Sequence, residues 1–213
     1  EADGSGKVTV SGASSLFDAG GLLLISGNSE PDLIDRSALD LSGGGQAEVT
    51  VGQGGTLRAG EAQGDGIDDI FIGENGTLRI EDGGVVEGDV NNTAGGTYIT
   101  GNSPGWAQII GDFGWSGELE MEFAGAGRGE YDRLDVTGEA ILSGLVTLDF
   151  SLDEGLSAGD RFTVIEADDA ETLFAAAAAA HEAVDGDRVS TFLKVDDKRT
   201  SDSSAADKVD AVE

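Results

Sequence analysis

Acidic residues cluster in one short stretch of the sequence, Gly64-Asp65-Gly66-Ile67-Asp68-Asp69. Asp65, Asp68 and Asp69 offer carboxylate oxygens, and Ca²⁺ takes roughly six to eight oxygen ligands. The spacing departs from that of an EF-hand loop, which needs a longer acidic array ending in Glu. We therefore name these three residues as candidate calcium ligands, with an exposed acidic turn as the alternative. The sequence indicates no other cofactor.

Four further side chains have types that are used in catalysis or binding. Arg58 and Arg79 take the same place in two copies of a repeated phrase, but no matching row of Asp accompanies them, so a solvated pair is favoured over a catalytic one. His181 is the only histidine and indicates a surface position. Trp106 and Trp115 form either a sugar-stacking platform or the end of a core. We predict no catalytic residue, and the sequence favours a protein that is not an enzyme.

The charge of the chain excludes some partners. Among 213 residues, 42 are acidic and 12 are basic, which gives a net charge of -30. Such a field repels nucleic acid and anionic membrane surfaces. The chain has no cysteine for a thiolate site, and it has no apolar run long enough to span a membrane as a helix.

A repeated phrase indicates how these side chains are positioned. The phrase that begins Val49-Thr50-Val51-Gly52 returns about 21 residues later as Ile70-Phe71-Ile72-Gly73, and both copies continue to Gly-Thr-Leu-Arg. Short β-branched runs broken by Gly at such a period are typical of stacked repeats. We predict an all-β, right-handed parallel β-solenoid with a C-terminal cap. Leu57 and Leu78 are then expected to be inward neighbours on successive coils.

The pattern of strands divides the chain into three parts. Residues 1–104 read as short solenoid strands, and residues 105–195 read as a continuation with longer strands and a cap. One short Ala-rich helix is predicted near residues 170–184, because Asp168 to Glu171 resembles a capping box and alanines follow. Residues 196–213 are charged and read as a flexible tail or linker that a neighbouring subunit orders.

An ordered series of phrases carries a family resemblance. Gly101-Asn102-Ser103-Pro104-Gly105 is followed by Tyr131-Asp132-Arg133-Leu134-Asp135-Val136-Thr137-Gly138, then by a Leu- and Gly-containing strand over 140–150 and by Gly159-Asp160-Arg161-Phe162-Thr163-Val164-Ile165. The series covers about residues 45–167 and resembles autotransporter-type passenger β-helices, the autotransporter-associated repeat proteins. The resemblance implies a parallel β-solenoid that is extracellular or at the cell surface. It does not imply one biochemical activity.

These observations predict an extracellular structural or adhesive β-solenoid that self-associates or packs against neighbouring subunits. Two alternatives stay open. The first is a carbohydrate-active β-helix enzyme, which requires acids and arginines in one groove and a carbohydrate or surface ligand. The second is a calcium-dependent matrix or surface-layer module, which a chelator would destabilise.

Overall fold

The computed structural model describes residues 4–26, 37–40, 44–60, 69–100, 104–149, 160–172 and 192–197. These residues contain β-strands and no helix. In chain order the strands are β1 (Gly4–Val10), β2 (Ser15–Asp18), β3 (Leu22–Ile25), β4 (Ser37–Asp40), β5 (Gly44–Val51), β6 (Gly55–Arg58), β7 (Ile70–Ile72), β8 (Gly76–Ile80), β9 (Gly84–Glu87), β10 (Val90–Asn92), β11 (Thr97–Thr100), β12 (Trp106–Ile110), β13 (Phe113–Trp115), β14 (Glu118–Glu122), β15 (Arg133–Val136), β16 (Glu139–Leu142), β17 (Leu145–Asp149), β18 (Arg161–Ala167), β19 (Asp169–Thr172) and β20 (Phe192–Asp197). Among the described residues, no helix has the length and apolar character needed to cross a membrane.

The strands form three parallel sheets. Sheet A has the order β1-β5-β8-β11-β14-β17, sheet B the order β2-β6-β9-β12-β15-β18-β20, and sheet C the order β19-β16-β13-β10-β7-β3-β4. Three consecutive strands, such as β8, β9 and β10, lie one in each sheet and make one circuit of the chain. Each strand inside a sheet therefore pairs with strands of two adjacent circuits, and the strands at the ends of the sheets pair on one side. This pairing satisfies the backbone of strands that are too short to be stable by themselves.

The core lies between the three sheets. Strand side chains alternate between buried and partly exposed, as in β8 and β14, because successive side chains of a strand point to opposite faces. Aliphatic residues fill most of the interior, and rings meet inside it, with Tyr98 and Phe113 centroids 5.2 Å apart. The core is thus extended along the stack of circuits.

The repeated phrase of the sequence is a corner between two sheets, and not a whole circuit. Its first copy joins β5 in sheet A to β6 in sheet B, while its second joins β7 in sheet C to β8 in sheet A. Both copies contain the same turn, in which Gly55 N–H donates to the Gly52 carbonyl at 2.9 Å and Gly76 N–H donates to the Gly73 carbonyl at 2.9 Å. The local phrase therefore specifies a strand, a tight turn and a second strand.

Close stacking explains why glycine follows this turn. A Cβ atom on Gly55 would lie 2.7 Å from the carbonyl oxygen of Val10 in the preceding circuit. A Cβ atom on Gly76 would likewise clash with the carbonyl oxygen of Ile25. Both contacts are with backbone atoms, which cannot turn away, so a side chain at either position would push two circuits apart.

The predicted stacking of Leu57 on Leu78 is wrong. Leu57 lies opposite Val86 in sheet B, and Leu78 lies opposite Val49 in sheet A. Both leucines are fully buried, so the inward orientation was predicted correctly. Their neighbours differ because the phrase that contains them recurs at different corners of the circuit.

The predicted fold class, an all-β right-handed parallel β-solenoid with a C-terminal cap and one short helix, is corrected to three parallel sheets without a helix among the described residues. Residues 169–172, where the helix near 170–184 was expected to begin, form β19 and pair with β16. Hydrogen bonds to a neighbouring strand here outweigh the local helix preference of the capping pattern. Residues 173–184 lie outside the described residues.

The end of the stack also differs from the expected cap. Strand β20 pairs with β18 in parallel and extends sheet B by one strand. A parallel neighbour requires a crossover connection, and β18 and β20 are separated in the chain by β19 and by residues 173–191, which lie outside the described residues. The division into residues 1–104, 105–195 and 196–213 stays a prediction, although β20 continues to Asp197 across the last of these boundaries.

Candidate functional site

Of the three residues predicted to bind calcium, the structure describes Asp69. Asp65 and Asp68 lie outside the described residues. Asp69 is 7 % exposed, and its Oδ2 accepts the backbone N–H of Asp89 at 3.1 Å. Within the described ranges, no group of three or more His, Cys, Asp or Glu side chains is arranged to hold a metal ion. The calcium site therefore stays a prediction.

Asp69 belongs to a row of carboxylates at one corner of successive circuits. Asp89 Oδ1 accepts the N–H of Asp112 at 2.8 Å, and Asp112 Oδ1 accepts the N–H of Glu139 at 2.7 Å. Each carboxylate thus holds the backbone of the next circuit at the start of a sheet C strand. A charged acceptor strengthens such a bond, and this gives the row a structural role.

The two arginines of the repeated phrase lie on different sheets. Arg58 is on β6 in sheet B and forms ion pairs with Asp18, at 3.8 Å, and with Glu87. Arg79 is on β8 in sheet A, opposite Thr50. The two arginines therefore do not form the solvated pair that the repeated phrase indicated, because the phrase recurs at different corners of the circuit. His181 lies outside the described residues.

The two tryptophans have different environments. Trp115 is 2 % exposed and belongs to the core, but its strand β13 pairs on both sides, so it does not lie at the end of the core that the second interpretation named. Trp106 is 38 % exposed and begins β12 on the outer face of sheet B. A shared stacking platform is therefore excluded by their positions, and Trp106 alone presents an aromatic surface.

Trp106 belongs to a charged cluster that crosses three adjacent strands of sheet B, and we call this cluster the Trp106 network. It consists of Trp106 on β12, Arg133 and Asp135 on β15, and Glu166 on β18. The indole N–H donates to Asp135 Oδ2 at 2.8 Å, and Arg133 Nε–H donates to Asp135 Oδ1 at 2.8 Å. The Arg133 guanidinium also forms an ion pair with Glu166. Hydrogen bonds and ion pairs therefore connect all four side chains to one another.

The register of the strands explains this arrangement. Trp106 lies opposite Arg133, and Asp135 lies opposite Glu166. Leu134 and Val136 are buried between these polar positions, so the strand alternation turns Arg133 and Asp135 to the outer face. Two carboxylates and one guanidinium give the network a formal charge of about -1 at neutral pH.

A buried carboxylate, Asp132, helps to position the strands that carry the Trp106 network. Asp132 is fully buried, and it accepts the N–H of Gly105 at 2.7 Å and the N–H of Glu122 at 2.8 Å. It thereby fixes Gly105, the residue before Trp106, and Glu122 at the end of β14, and Asp132 itself directly precedes Arg133. Burial raises the pKa of Asp132 from 3.8 to about 7, while the two backbone donors act in the opposite direction.

Sequence reasoning did not identify the Trp106 network. Arg133 and Asp135 appeared in it only as parts of a phrase that carries a family resemblance. The available signal was the alternation of Arg, Leu, Asp and Val, which predicts that the two charged residues share one face. No local pattern places Trp106 or Glu166 beside them, since they are distant in the sequence.

Comparison with known proteins gives one family model and one relative that each match part of the chain. A family model described as thiamine-binding protein matches residues 155–213. A UPF0045 protein of Methanothermobacter thermautotrophicus is 49% identical over 53 residues, which are 24% of this chain and 54% of the relative. The chain thus spans about half the length of the curated relative that it matches. No solved structure matches the chain.

These matches overturn the resemblance to autotransporter passengers and the role inferred from it, an extracellular structural or adhesive solenoid. The described parts of the phrases behind that resemblance are the short strands β15, β16, β17 and β18, with Gly-containing turns at Gly138 and Gly144. Such turns arise from the geometry of closely stacked parallel strands, so they indicate architecture without indicating ancestry. Self-association, a carbohydrate ligand and an extracellular location are not tested by the matches and stay predictions.

The matched segment is joined to the rest of the fold. Phe162 of β18 is buried and packs edge-on against Phe123, with ring centroids 4.9 Å apart, and against Tyr131 at 5.0 Å. Outside the core, Glu166 of the same strand forms its ion pair with Arg133. Both the core and the Trp106 network therefore include side chains from the segment that resembles thiamine-binding proteins.

Proposed function

We propose that this chain binds a small organic cation of the thiamine type and is not an enzyme. The observation that carries the proposal is the match of residues 155–213 to the thiamine-binding protein family. The 49% identity to a relative over 53 residues of the same chain supports it. The chain spans about half of that relative. The proposal therefore includes the claim that this chain binds the cation without further protein components.

Electrostatics favour this class of ligand. Thiamine carries a permanent positive charge on its thiazolium ring and has a polar aminopyrimidine ring. The net charge of -30 attracts such a cation over a long range at low ionic strength. Long-range attraction does not distinguish one cation from another, so selectivity requires contacts at a defined site.

Isothermal titration calorimetry of the full chain with thiamine tests the proposal. We expect saturable binding with one ligand per chain at about 0.15 M salt and persistent binding at about 0.5 M salt, where the field of surface charges is screened. Choline is the control ligand, because it has a permanent positive charge but no aromatic ring. Choline is expected to bind much more weakly and to lose its heat signal at the higher salt concentration.

Two results would contradict the proposal. The first is the absence of saturable heat with thiamine at either salt concentration. The second is equal binding of thiamine and choline with the same salt dependence, because this would mean that the acidic chain attracts any cation. Thermal unfolding gives a second measurement, since a ligand that binds only the folded state raises the midpoint.

A further inference from the structure

We infer that the ligand of the proposed function occupies the Trp106 network on the outer face of sheet B, where a planar aromatic cation stacks on Trp106 beside the carboxylates of Asp135 and Glu166. This inference rests on the proposed function and adds to it a location and a ligand chemistry. The ligand class is a flat, positively charged heterocycle that carries an amino group.

The location follows from the connection between the matched segment and the rest of the chain. Glu166 lies on β18, within the segment that resembles thiamine-binding proteins, and its ion pair with Arg133 crosses to β15. Trp106 and Asp135 continue the same cluster onto strands outside that segment. Among the described residues, this cluster combines an exposed aromatic surface with one charged side chain of the matched segment, Glu166.

The aromatic surface is exposed and fixed in orientation. Trp106 is 38 % exposed, and its indole N–H is held by Asp135 at 2.8 Å. Tryptophan is the strongest of the aromatic side chains in attracting a cation to its face. A side chain that is already held in place loses little rotational freedom when a ligand stacks on it, so less of the interaction energy is spent on ordering.

The charges of the network fit a cation. Arg133 neutralises one of the two carboxylates, and its guanidinium is shared between Asp135 and Glu166. A ligand cation near both carboxylates would complete the neutralisation, and a ligand amino group would find an acceptor oxygen there. A neutral aromatic molecule would gain the stacking contact without this electrostatic contribution.

Sheet B also offers a matched cluster without an aromatic ring. Arg58 lies between Asp18 and Glu87 at the other end of the sheet, in the same alternation of carboxylate, guanidinium and carboxylate. This cluster has the charge of the Trp106 network but no tryptophan. It therefore separates the effect of the charges from the effect of the ring.

The test is the affinity for thiamine of four variants of the full chain, measured by titration calorimetry. Trp106→Leu and Asp135→Asn are expected to weaken binding about tenfold each, the size expected when one cation–π or charged contact is lost. Asp18→Asn changes the matched cluster, and Leu145→Ala removes an apolar side chain that is 54 % exposed on sheet A. Both controls are expected to bind thiamine within about twofold of the unchanged chain.

Fluorescence gives an independent readout, because the chain has two tryptophans in different environments. Thiamine stacked on Trp106 is expected to quench the exposed indole, and the quenching should disappear in Trp106→Leu, where the buried Trp115 remains. Circular dichroism and the melting temperature of each variant establish that it is folded before its affinity is compared.

The outcomes separate the inference from the proposed function. Unchanged thiamine affinity in folded Trp106→Leu and Asp135→Asn would overturn the location and leave the proposed function standing. Equal losses in Asp18→Asn and Asp135→Asn would also overturn it, since a general effect of charge would then explain binding. No thiamine binding by the unchanged chain would overturn both.

Discussion

Replacing the buried Asp132 by Asn tests how the carboxylate beneath the Trp106 network affects stability. Burial raises its pKa from 3.8 to about 7 in the folded chain, whereas the unfolded chain restores the ordinary value. The folded state therefore binds a proton more tightly than the unfolded state does. The stabilisation from this proton is fully present below about pH 4 and is lost as the pH rises through about 7.

The size of the effect follows from the two pKa values. A difference of one pKa unit corresponds to about 1.36 kcal/mol, so values of 3.8 and about 7 correspond to about 4 kcal/mol in the free energy of unfolding. Asn carries no charge at any of these pH values, and it offers one carbonyl oxygen where Asp132 holds two backbone N–H groups. The variant is therefore less stable at low pH, but its stability should change much less with pH.

Urea unfolding between about pH 4 and about pH 8, followed by tryptophan fluorescence, measures both chains. About 0.5 M salt screens the many surface carboxylates, whose mutual repulsion also grows with pH. For each chain, the free energy of unfolding is plotted against pH to give a slope. The prediction concerns the difference between the slope of the unchanged chain and that of Asp132→Asn, because the contribution of the surface carboxylates is the same in both and cancels. Equal slopes of the free energy of unfolding against pH would refute the reasoning and would mean that the two backbone donors balance burial. A steeper loss in Asp132→Asn would also refute it and would mean that the donors outweigh burial.

Three further predictions concern the stack and its ions. In a urea titration, Gly55→Ala is expected to lower the free energy of unfolding by about 1–3 kcal/mol, because its Cβ would meet a backbone oxygen at 2.7 Å. Gly114→Ala is the control and should lower it much less, since the nearest atom to its Cβ is 3.6 Å away. In double-mutant cycles of alanine variants, Leu78 should couple to its partner Val49 by about 0.5 kcal/mol or more and should not couple directly to Leu57, and the reverse result would contradict the sheet register. If the predicted calcium site exists, calcium should raise the melting temperature and a chelator should reverse the shift, and an unchanged midpoint would remove the site.

The sequence by itself determined where several strands form. The apolar runs Val8–Val10, Leu22–Ile25 and Ile70–Ile72 favour extended backbone, and they lie within β1, β3 and β7. The alternation of acidic and apolar residues from Glu118 to Phe123 indicates which face of β14 is buried, and Leu119 and Met121 lie in the core. These features depend on near neighbours, since β-branched runs favour extended backbone and glycines end them. The net charge likewise followed directly from composition.

Tertiary structure alone decided which strands are neighbours. The phrase containing Leu57 and the phrase containing Leu78 are almost identical, yet one turns from sheet A to sheet B and the other from sheet C to sheet A. The circuits differ in length, so a constant spacing in the sequence does not correspond to a constant position in the stack. Local residues specify a turn, but they do not record how many turns separate two contacting strands.

The Trp106 network shows the same division at the level of the candidate site. The alternation in β15 predicts that Arg133 and Asp135 share a face, which is a local property of an extended strand. The meeting of Asp135 with Trp106 and of Arg133 with Glu166 depends on parallel pairing across three circuits. Such contacts join residues far apart in the chain, and only the closed stack, stabilised by burial of its shared core, brings them together.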